Sequence, residues 1–511
     1  MPTKYFKFNG KLDRRNPRNE GMENDVFMRE NFLARDKRLL RPKGTTGAIT
    51  TDLGSICTWS GRYHTVEVGQ TSPKTFAYTK DGKLWLVNEQ AKTATEIKSG
   101  LNLNAYPKHQ LFKRGSQTYM YLVDGRDLYK YDGNNDNYFE KLPITNADDE
   151  PIYPIDVTEH KDRLCLISET DLYISVNIEP DIFDDATDSL DIIVGSGRGK
   201  NKSFGKIGDT LFILNTEAKF ALVGDVISAV AITFSIDKKG SVHNIISGRT
   251  AVNVEGGIMF LADDLNVWLF NGSFSQKISH LEKLEEFINP YRDYLDMAVA
   301  TYEDNYYKLS FVETGNHKNT VEYWYDVIDT EKRGEIIRGR NVSCYMQTDP
   351  AVELPFSLIG ISDISTICYV GRGKDFNGNA IRTRLWTKDI PILKNHNVRI
   401  TAIRPDIEAS GDYEMTINYV LDGRQDPTRV GGTQQLEGEY REGSADNDIS
   451  LIHLNNQNQF TDRFKPRIKY SKGETIAFYI DDSTQYQDLS LKGISIDYVD
   501  KGLKKGRKVG A

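Results

Sequence analysis

Residues Thr118–Gly133 read TYMYLVDGRDLYKYDG, an apolar-aromatic run, a tight Asp-Gly turn and a second apolar-aromatic run. That pattern predicts a β-hairpin, because Asp-Gly accepts the left-handed backbone a short reversal needs. The phrase recurs as TFAYTKDGKLWLVN from Thr75, DRLCLISETDLYISVN from Asp162, DTLFILNTEAKFALVG from Asp209 and GIMFLADDLNVWLFNG from Gly257. Looser copies are NYYKLSF with VEYWYDV from Asn305, and STICYVG with RTRLWT from Ser365. Successive starts lie 43, 44, 47, 48, 48 and 60 residues apart, the spacing of propeller blades. One hairpin cannot bury its apolar faces alone, so the copies must stack, most simply around an axis. The expectation is an all-β fold with a six- or seven-bladed β-propeller, the last copy being the one in question.

Outward from the repeats, four regions separate. Residues 1–50 form an extended basic N-terminal arm ending in the turn signal Arg41-Pro42-Lys43-Gly44, with one segment, Val26–Leu40, carrying apolar residues at helical spacing. Removal of this arm is expected to leave the propeller folded. Residues 51–390 hold the propeller, interrupted at His280–Asp296 by a predicted short helix ended by Pro290. From 391 to 499 the hairpin phrase stops, and longer alternating strands at Asn397–Glu408, Asp412–Leu421, Arg467–Asp481 and Leu489–Val499 predict a β-sandwich-like domain. Residues 500–511 are a basic tail.

At 511 residues with 39% hydrophobic, 27% charged and 11% aromatic residues, the composition is that of a folded soluble protein. No apolar leader opens the chain, and its most apolar stretch, Val226–Ile236, is too short to span a bilayer. Net charge is unevenly placed. Met1–Lys43 carries twelve Lys/Arg against six Asp/Glu, and Asp500–Ala511 five against one. Set against the chain's net −8, these termini leave −18 on the remainder. Cationic ends on an acidic body suit docking on acidic neighbours or nucleic acid, or simple solvation.

The residues of chemistry do not assemble locally. Eight histidines are scattered without a ligand pair, and Cys57, Cys165, Cys344 and Cys368 form no C-x-x-C, so they read as buried structural thiols in a reducing compartment. The run GSGRGKNKS from Gly195 departs from a phosphate loop twice, at Val194 and Asn201, and reads as a basic loop between blades. The acidic tract Glu179–Asp191 has neither calcium-loop spacing nor a hydrolase motif beside it. Trp85, Tyr129, Tyr173, Trp268, Tyr323 and Trp386 recur late in their phrases, a position that predicts packing between blades rather than a sugar-binding row. The reading is therefore not an enzyme: no catalytic, cofactor-binding or metal-ligating residue is assigned.

A resemblance then gives the chain a context. DLYISVNIEPDIFDD from Asp171 places Ser175, Pro180 and Phe183 in an ordered strand–Ser–Pro–aromatic pattern. It is followed by the Asp209 hairpin and by GSVHNIISGRTAVNVEGGIMFLADDLNVWLFNGSFSQKIS from Gly240. That succession over Asp162–Ser279, with the closing LSLKGISIDYVDKGLKKGRK from Leu489, resembles the tail hub or nozzle (packaged-DNA stabilisation) proteins of short-tailed bacteriophages. The resemblance implies a structural virion protein, made in the host cytoplasm and built into the tail as a homohexameric ring. It implies docking below the portal-adaptor ring, attachment of fibres, spikes or a needle, and passage of genomic DNA without sequence-specific binding. Neither cofactor nor catalytic residue is carried over. An acidic body would let the phosphates slide, since Lys and Arg contacts would arrest them. The candidate assembly contacts are Arg14, Arg15, Arg18, Arg29, Arg35, Arg38, Lys504, Lys505 and Arg507. The alternative is a propeller glycosidase or lyase, or a glycan-binding protein, of a phage tail.

Overall fold

The apolar hairpins form the middle strands of small antiparallel sheets in a computed structural model of the chain. It describes residues 2–503 except 9–11, 15–25, 36–37, 46–49, 65–72, 134–137, 147, 186–187, 197, 225, 229–230, 233–234, 241, 329–333, 348–357, 364, 371–374, 377, 394–395, 411–413, 422–432, 438–458, 461–471 and 483–487. In the second blade, for example, the strands are Lys108–Arg114, Gln117–Val123, Leu128–Tyr131 and Glu140–Leu142, paired in chain order. Seven blades are present among the described residues, six of four strands and the seventh of three. Their first strands are Cys57–Tyr63, Lys108–Arg114, Asp156–His160, Asn201–Ile207, Val252–Val254, Val299–Glu303 and Val342–Gln347. Each first strand touches the next around a ring, and the ring closes where Met346 and Gln347 pair in parallel with Ser60 and Gly61.

Alternation along the middle strands explains their unbroken apolar character. Met120 and Leu122 face the first blade and pack with Phe76 and Tyr78. Tyr121 and Val123 face the third and pack with Leu164 and Leu166. Cys165 and Ile167 then point onward to Leu211 and Ile213 of the fourth blade, whose Phe212 and Leu214 meet Ile258 and Phe260 of the fifth. Met259 with Tyr307, Val299 with Ile359, and Ala77 with Leu358 continue the series through the remaining three interfaces. With both faces buried, a period-2 strand reads as a continuous apolar run, each large side chain contributing about 1.5–3 kcal/mol. Outer strands such as Thr93–Lys98 are largely exposed and polar. At the seam between blades four and five a Cβ at Gly205 would lie 2.4 Å from Ile258 Cδ1, so any larger residue there forces that side chain to shift.

The seventh hairpin phrase is corrected by this arrangement. Its first half, Thr366–Tyr369, is the outer described strand of the seventh blade, paired with Leu358–Ile361. Its second half, Thr383–Thr387, has left the propeller and pairs with Thr475–Asp482. The long step that precedes it arises because this copy starts at Ser365, past the blade's second strand Leu358–Ile361, whereas the other copies start at second strands.

The C-terminal region is a β-sandwich. One sheet is dominated by the long antiparallel pair His396–Ser410 and Asp488–Leu503. The other runs Val26–Glu30, Thr383–Thr387, Thr475–Asp482, Glu414–Leu421 and Thr433–Glu437. Between them lie Ile400, Ile403, Ile476, Ile480, Ile494 and Ile496, with Phe6 and Phe8 edge-on to Phe478 at 5.7 and 5.9 Å. The second sheet continues into the propeller, because Glu30 pairs in parallel with Ile336 in the last strand of blade six.

The N-terminal segment is extended, but it is not a free arm. Thr3–Phe6 pairs with Asp488–Leu503, as does Arg38–Leu40, and Val26–Glu30 lies between propeller and sandwich. Phe6, Phe8, Leu12, Val26, Phe32 and Leu39 are buried. The helical spacing of Val26–Leu40 gives way to the strands Val26–Glu30, Leu33–Arg35 and Arg38–Leu40, since open sheet edges satisfy these backbone groups and tertiary burial overrides a weak helical preference. The segment His280–Asp296 forms a 3₁₀ turn at Leu284–Glu286 and one helical turn at Arg292–Leu295, on either side of Pro290. No helix of the described residues is long and apolar enough to cross a membrane.

Candidate functional site

The first strands of all seven blades, or the residues leading into them, converge at one end of the ring, and two cations bridge them there. Lys108 Nζ, from blade two, donates to Asp156 Oδ2 of blade three at 2.6 Å, to Ser203 Oγ of blade four at 2.6 Å and to the Gly248 carbonyl before blade five at 3.1 Å. Asp156 Oδ2 also accepts from Ser203 Oγ and the Phe204 amide, both at 2.9 Å. Arg249 completes the circle. Its guanidinium donates to the carbonyls of Met297 (3.1 Å), Thr58 (3.0 Å) and Ser343 (2.8 Å), leading into or belonging to blades six, one and seven. It stacks 4.2 Å above the Tyr106 ring. Burial draws the Arg249 pKa below the usual guanidinium range and pushes the Tyr106 hydroxyl up, with the mutual attraction of the two opposing both shifts. Charge-assisted bonds of this kind hold blades in register, and here they occupy the position where propellers commonly bind ligands.

The sequence-flagged tracts turn out to be stitching between blades. In the acidic tract, Asp181 accepts from Tyr121 Oη at 2.6 Å and pairs with Lys130, Glu179 pairs with Arg114, and Asp188 binds Arg163 at 2.6 Å. Tyr121, Lys130 and Arg114 belong to blade two, so these carboxylates tie blade three to its neighbour. In the glycine-rich loop, Lys200 reaches Glu169 at 2.6 Å and Ser196 reaches Glu217 at 2.6 Å. Trp85, Tyr129, Tyr173, Trp268 and Tyr323 lie in or against the interblade clusters. Trp386 does not: it sits in the sandwich, 6.0 Å from the Tyr479 ring.

One group of metal-capable donors forms among the described residues. His243 Nδ1 lies 3.2 Å from Asp263 Oδ1 and 4.0 Å from Asp264 Oδ2. Asp264 is already engaged by Lys277 at 3.2 Å and by Trp268 Nε1 at 2.9 Å, and the imidazole stacks on Trp268 at 4.3 Å. Three donors fall short of a closed tetrahedral zinc set, and the adjacent ammonium already neutralises one carboxylate.

The candidate assembly cations separate into four groups. Arg29 is buried and donates twice to Glu335, at 2.6 and 2.7 Å, so it is an internal ion-pair partner and not a docking contact. Arg14 keeps partial exposure, stacking 4.2 Å over Phe287 with Glu286 at 3.7 Å. Arg35 and Arg38 stand opposite each other in a hairpin. Arg15, Arg18, Lys504, Lys505 and Arg507 lie outside the described residues. Arg41 likewise pairs internally with Asp482 at 2.6 Å, so part of the N-terminal positive charge is spent inside the fold. Sequence reasoning missed Lys108, Asp156 and Arg249 altogether. They come from different blades, and no local spacing marks them.

No protein-family model matches the chain, and no curated protein matches it. Among solved structures it is similar to Raptor of Chaetomium thermophilum, at 9% identity and a TM-score of 0.41 over 65% of this chain and 30% of that one. It is similar to BBS1N, solved in complex with ARL6DN, at 11% identity and a TM-score of 0.40 over 68% of this chain and 98% of that one. A third is the β-propeller domain of Cps50 (Swd1) from Myceliophteria thermophila, at 10% identity and a TM-score of 0.33 over 61% and 98%. The chain thus spans less than a third of Raptor's length. Likenesses of this degree concern the fold alone, and none of these proteins is a phage tail hub.

Proposed function

We propose that this chain is a structural virion protein, a ring-forming tail hub or nozzle of a short-tailed bacteriophage. In this reading six copies dock below the portal-adaptor ring, guide DNA during ejection and anchor the receptor-binding parts. The observation that carries it is the ordered succession of motifs over Asp162–Ser279. The architecture supports it in two ways. A closed ring joined to a sandwich through a shared sheet makes a stiff building block suited to a load-bearing assembly. Lys108 and Arg249 occupy the propeller's own axis, so a duplex would pass between copies and not through one chain. The acidic body lining such a passage would repel phosphates, while the cationic tail after Asp500 would grip a neighbouring ring. Mass spectrometry of purified virions tests the reading. The chain is expected at a fixed stoichiometry near that of the portal-adaptor ring. Its absence overturns the proposal, and turnover of capsular glycan by the pure protein, lost on replacing one carboxylate, would put the enzyme in its place.

A further inference from the structure

The ring is closed by a parallel pairing between its first and last blades, and two cysteines meet at that seam. Cys57 opens the first strand of blade one and Cys344 lies in the first strand of blade seven, 287 positions later. Both are buried, and their sulfurs are 3.5 Å apart. Cys165 and Cys368, also buried and in no disulfide, lie in other apolar clusters.

The surroundings of the pair differ from an ordinary apolar thiol site. Arg249 donates to the carbonyls of Thr58 and Ser343, the residues adjoining the two cysteines, and places a guanidinium beside the sulfurs. The Cys57 thiol and then Arg249 hold Cys344 below the usual thiol range despite its burial, while Cys57 is pushed well up. Gly360 leaves the space in which the sulfurs meet: a Cβ there would lie 2.7 Å from Cys344 Sγ and 3.0 Å from Cys57 Cβ. Closing from the 3.5 Å contact to a bond requires the sulfurs to approach to about 2.05 Å.

We propose that Cys57 and Cys344 form a redox clasp, closing to a disulfide that joins the first and seventh blades covalently when hydrogen peroxide is present. The Cys344 thiolate attacks the peroxide, the O–O bond breaks, and a sulfenic acid and hydroxide result. The Cys57 sulfur then attacks the sulfenic sulfur, the S–S bond forms and the S–O bond breaks. Two thiols are oxidised by two electrons, the peroxide is reduced, and the two thiol protons leave in two waters. Arg249, beside the sulfurs, is only partly buried while the seam residues around it are buried, so a small oxidant approaches past its guanidinium. A cross-link over so long a loop removes more chain entropy from the unfolded state than any local bond, so the clasp would resist opening of the ring. The inference stands independently of the virion role.

The experiment uses the full folded chain, treated with hydrogen peroxide or with dithiothreitol, then denatured, alkylated and mapped by mass spectrometry. The expected result is a single Cys57–Cys344 cross-link in the oxidised sample, with Cys165 and Cys368 alkylated in both. The thermal midpoint should rise on oxidation and return on reduction, and Cys57→Ser and Cys344→Ser should abolish the link and the reversible shift. If either variant fails to fold, mapping of the unmodified chain decides alone. Recovery of both cysteines fully alkylated after peroxide, or their oxidation only to sulfinic acid, overturns the proposal.

Discussion

Glu282→Gln isolates a buried carboxyl at the junction of propeller and sandwich. Glu282 follows blade five, is 3% exposed, and has one carboxyl oxygen without a hydrogen-bond partner. Backbone amides of Leu281, Glu282 and Gly334 approach it, and the nearby Glu335 carboxylate disfavours its ionisation. Burial dominates and pushes its pKa from 4.5 up to about 8. The folded protein therefore keeps this proton over a range in which the unfolded chain has lost it. The stabilisation is complete below pH 4.5, drains away as pH rises towards 8, and is absent above. At about 1.36 kcal/mol per pH unit of displacement, the full swing is roughly 4–5 kcal/mol. Gln has the same shape and no charge to desolvate, and its amide has the unpartnered Tyr323 hydroxyl beside it, since both Glu282 Oε1 and Tyr323 Oη lie within about 2.5 Å of the missing Gly334 Cβ. Denaturant midpoints at pH 5, 7 and 9 provide the assay. Wild type and variant should be close at pH 5, and the variant should be the more stable by several kcal/mol at pH 9. A pH-independent difference between the two would refute the reasoning.

Three further outcomes follow from the packing. Arg29→Met should destabilise the protein by about 3–5 kcal/mol, because it removes both guanidinium bonds and the compensating charge from the buried Glu335 carboxylate, and the denaturant midpoint should recover in large part when Glu335→Leu is added. Lys108→Met leaves Asp156 with only its hydroxyl and amide donors and should cost about 2 kcal/mol or more, read as faster exchange of first-strand amides in blades two to four; unchanged protection would show that the axial bonds are not holding the ring. Deletion of residues 1–40 removes edge strands from both sandwich sheets and uncovers Phe478, so the sandwich should become protease-sensitive. Retention of a resistant C-terminal fragment would contradict that account.

What could be seen in the sequence follows from where strands are buried. The second and third strands of a blade lie between two neighbours, so TYMYLV and LYKY are apolar on both faces and announce themselves. First strands such as KHQLFKR and DVTEH carry the axial polar groups and do not stand out. The seventh copy misled because Thr366–Tyr369 and Thr383–Thr387 have blade-like composition yet lie in different sheets. The N-terminal strands were illegible for a different reason: their partners, Ile336 and Asp488–Leu503, are hundreds of residues away. Basic composition suggested docking at Arg29, but a guanidinium opposite Glu335 is visible only once the chain has folded. The same holds for Cys57 and Cys344, which the closure of the ring alone brings together.

Cryo-electron microscopy of the virion tail tests the central claim most directly. The account predicts six copies of the propeller–sandwich unit in a ring around the tail axis, each propeller axis filled at Lys108 and Arg249, with the DNA path between copies. A tail whose ring density fits no propeller–sandwich unit, or a duplex threaded through a single propeller, would contradict it.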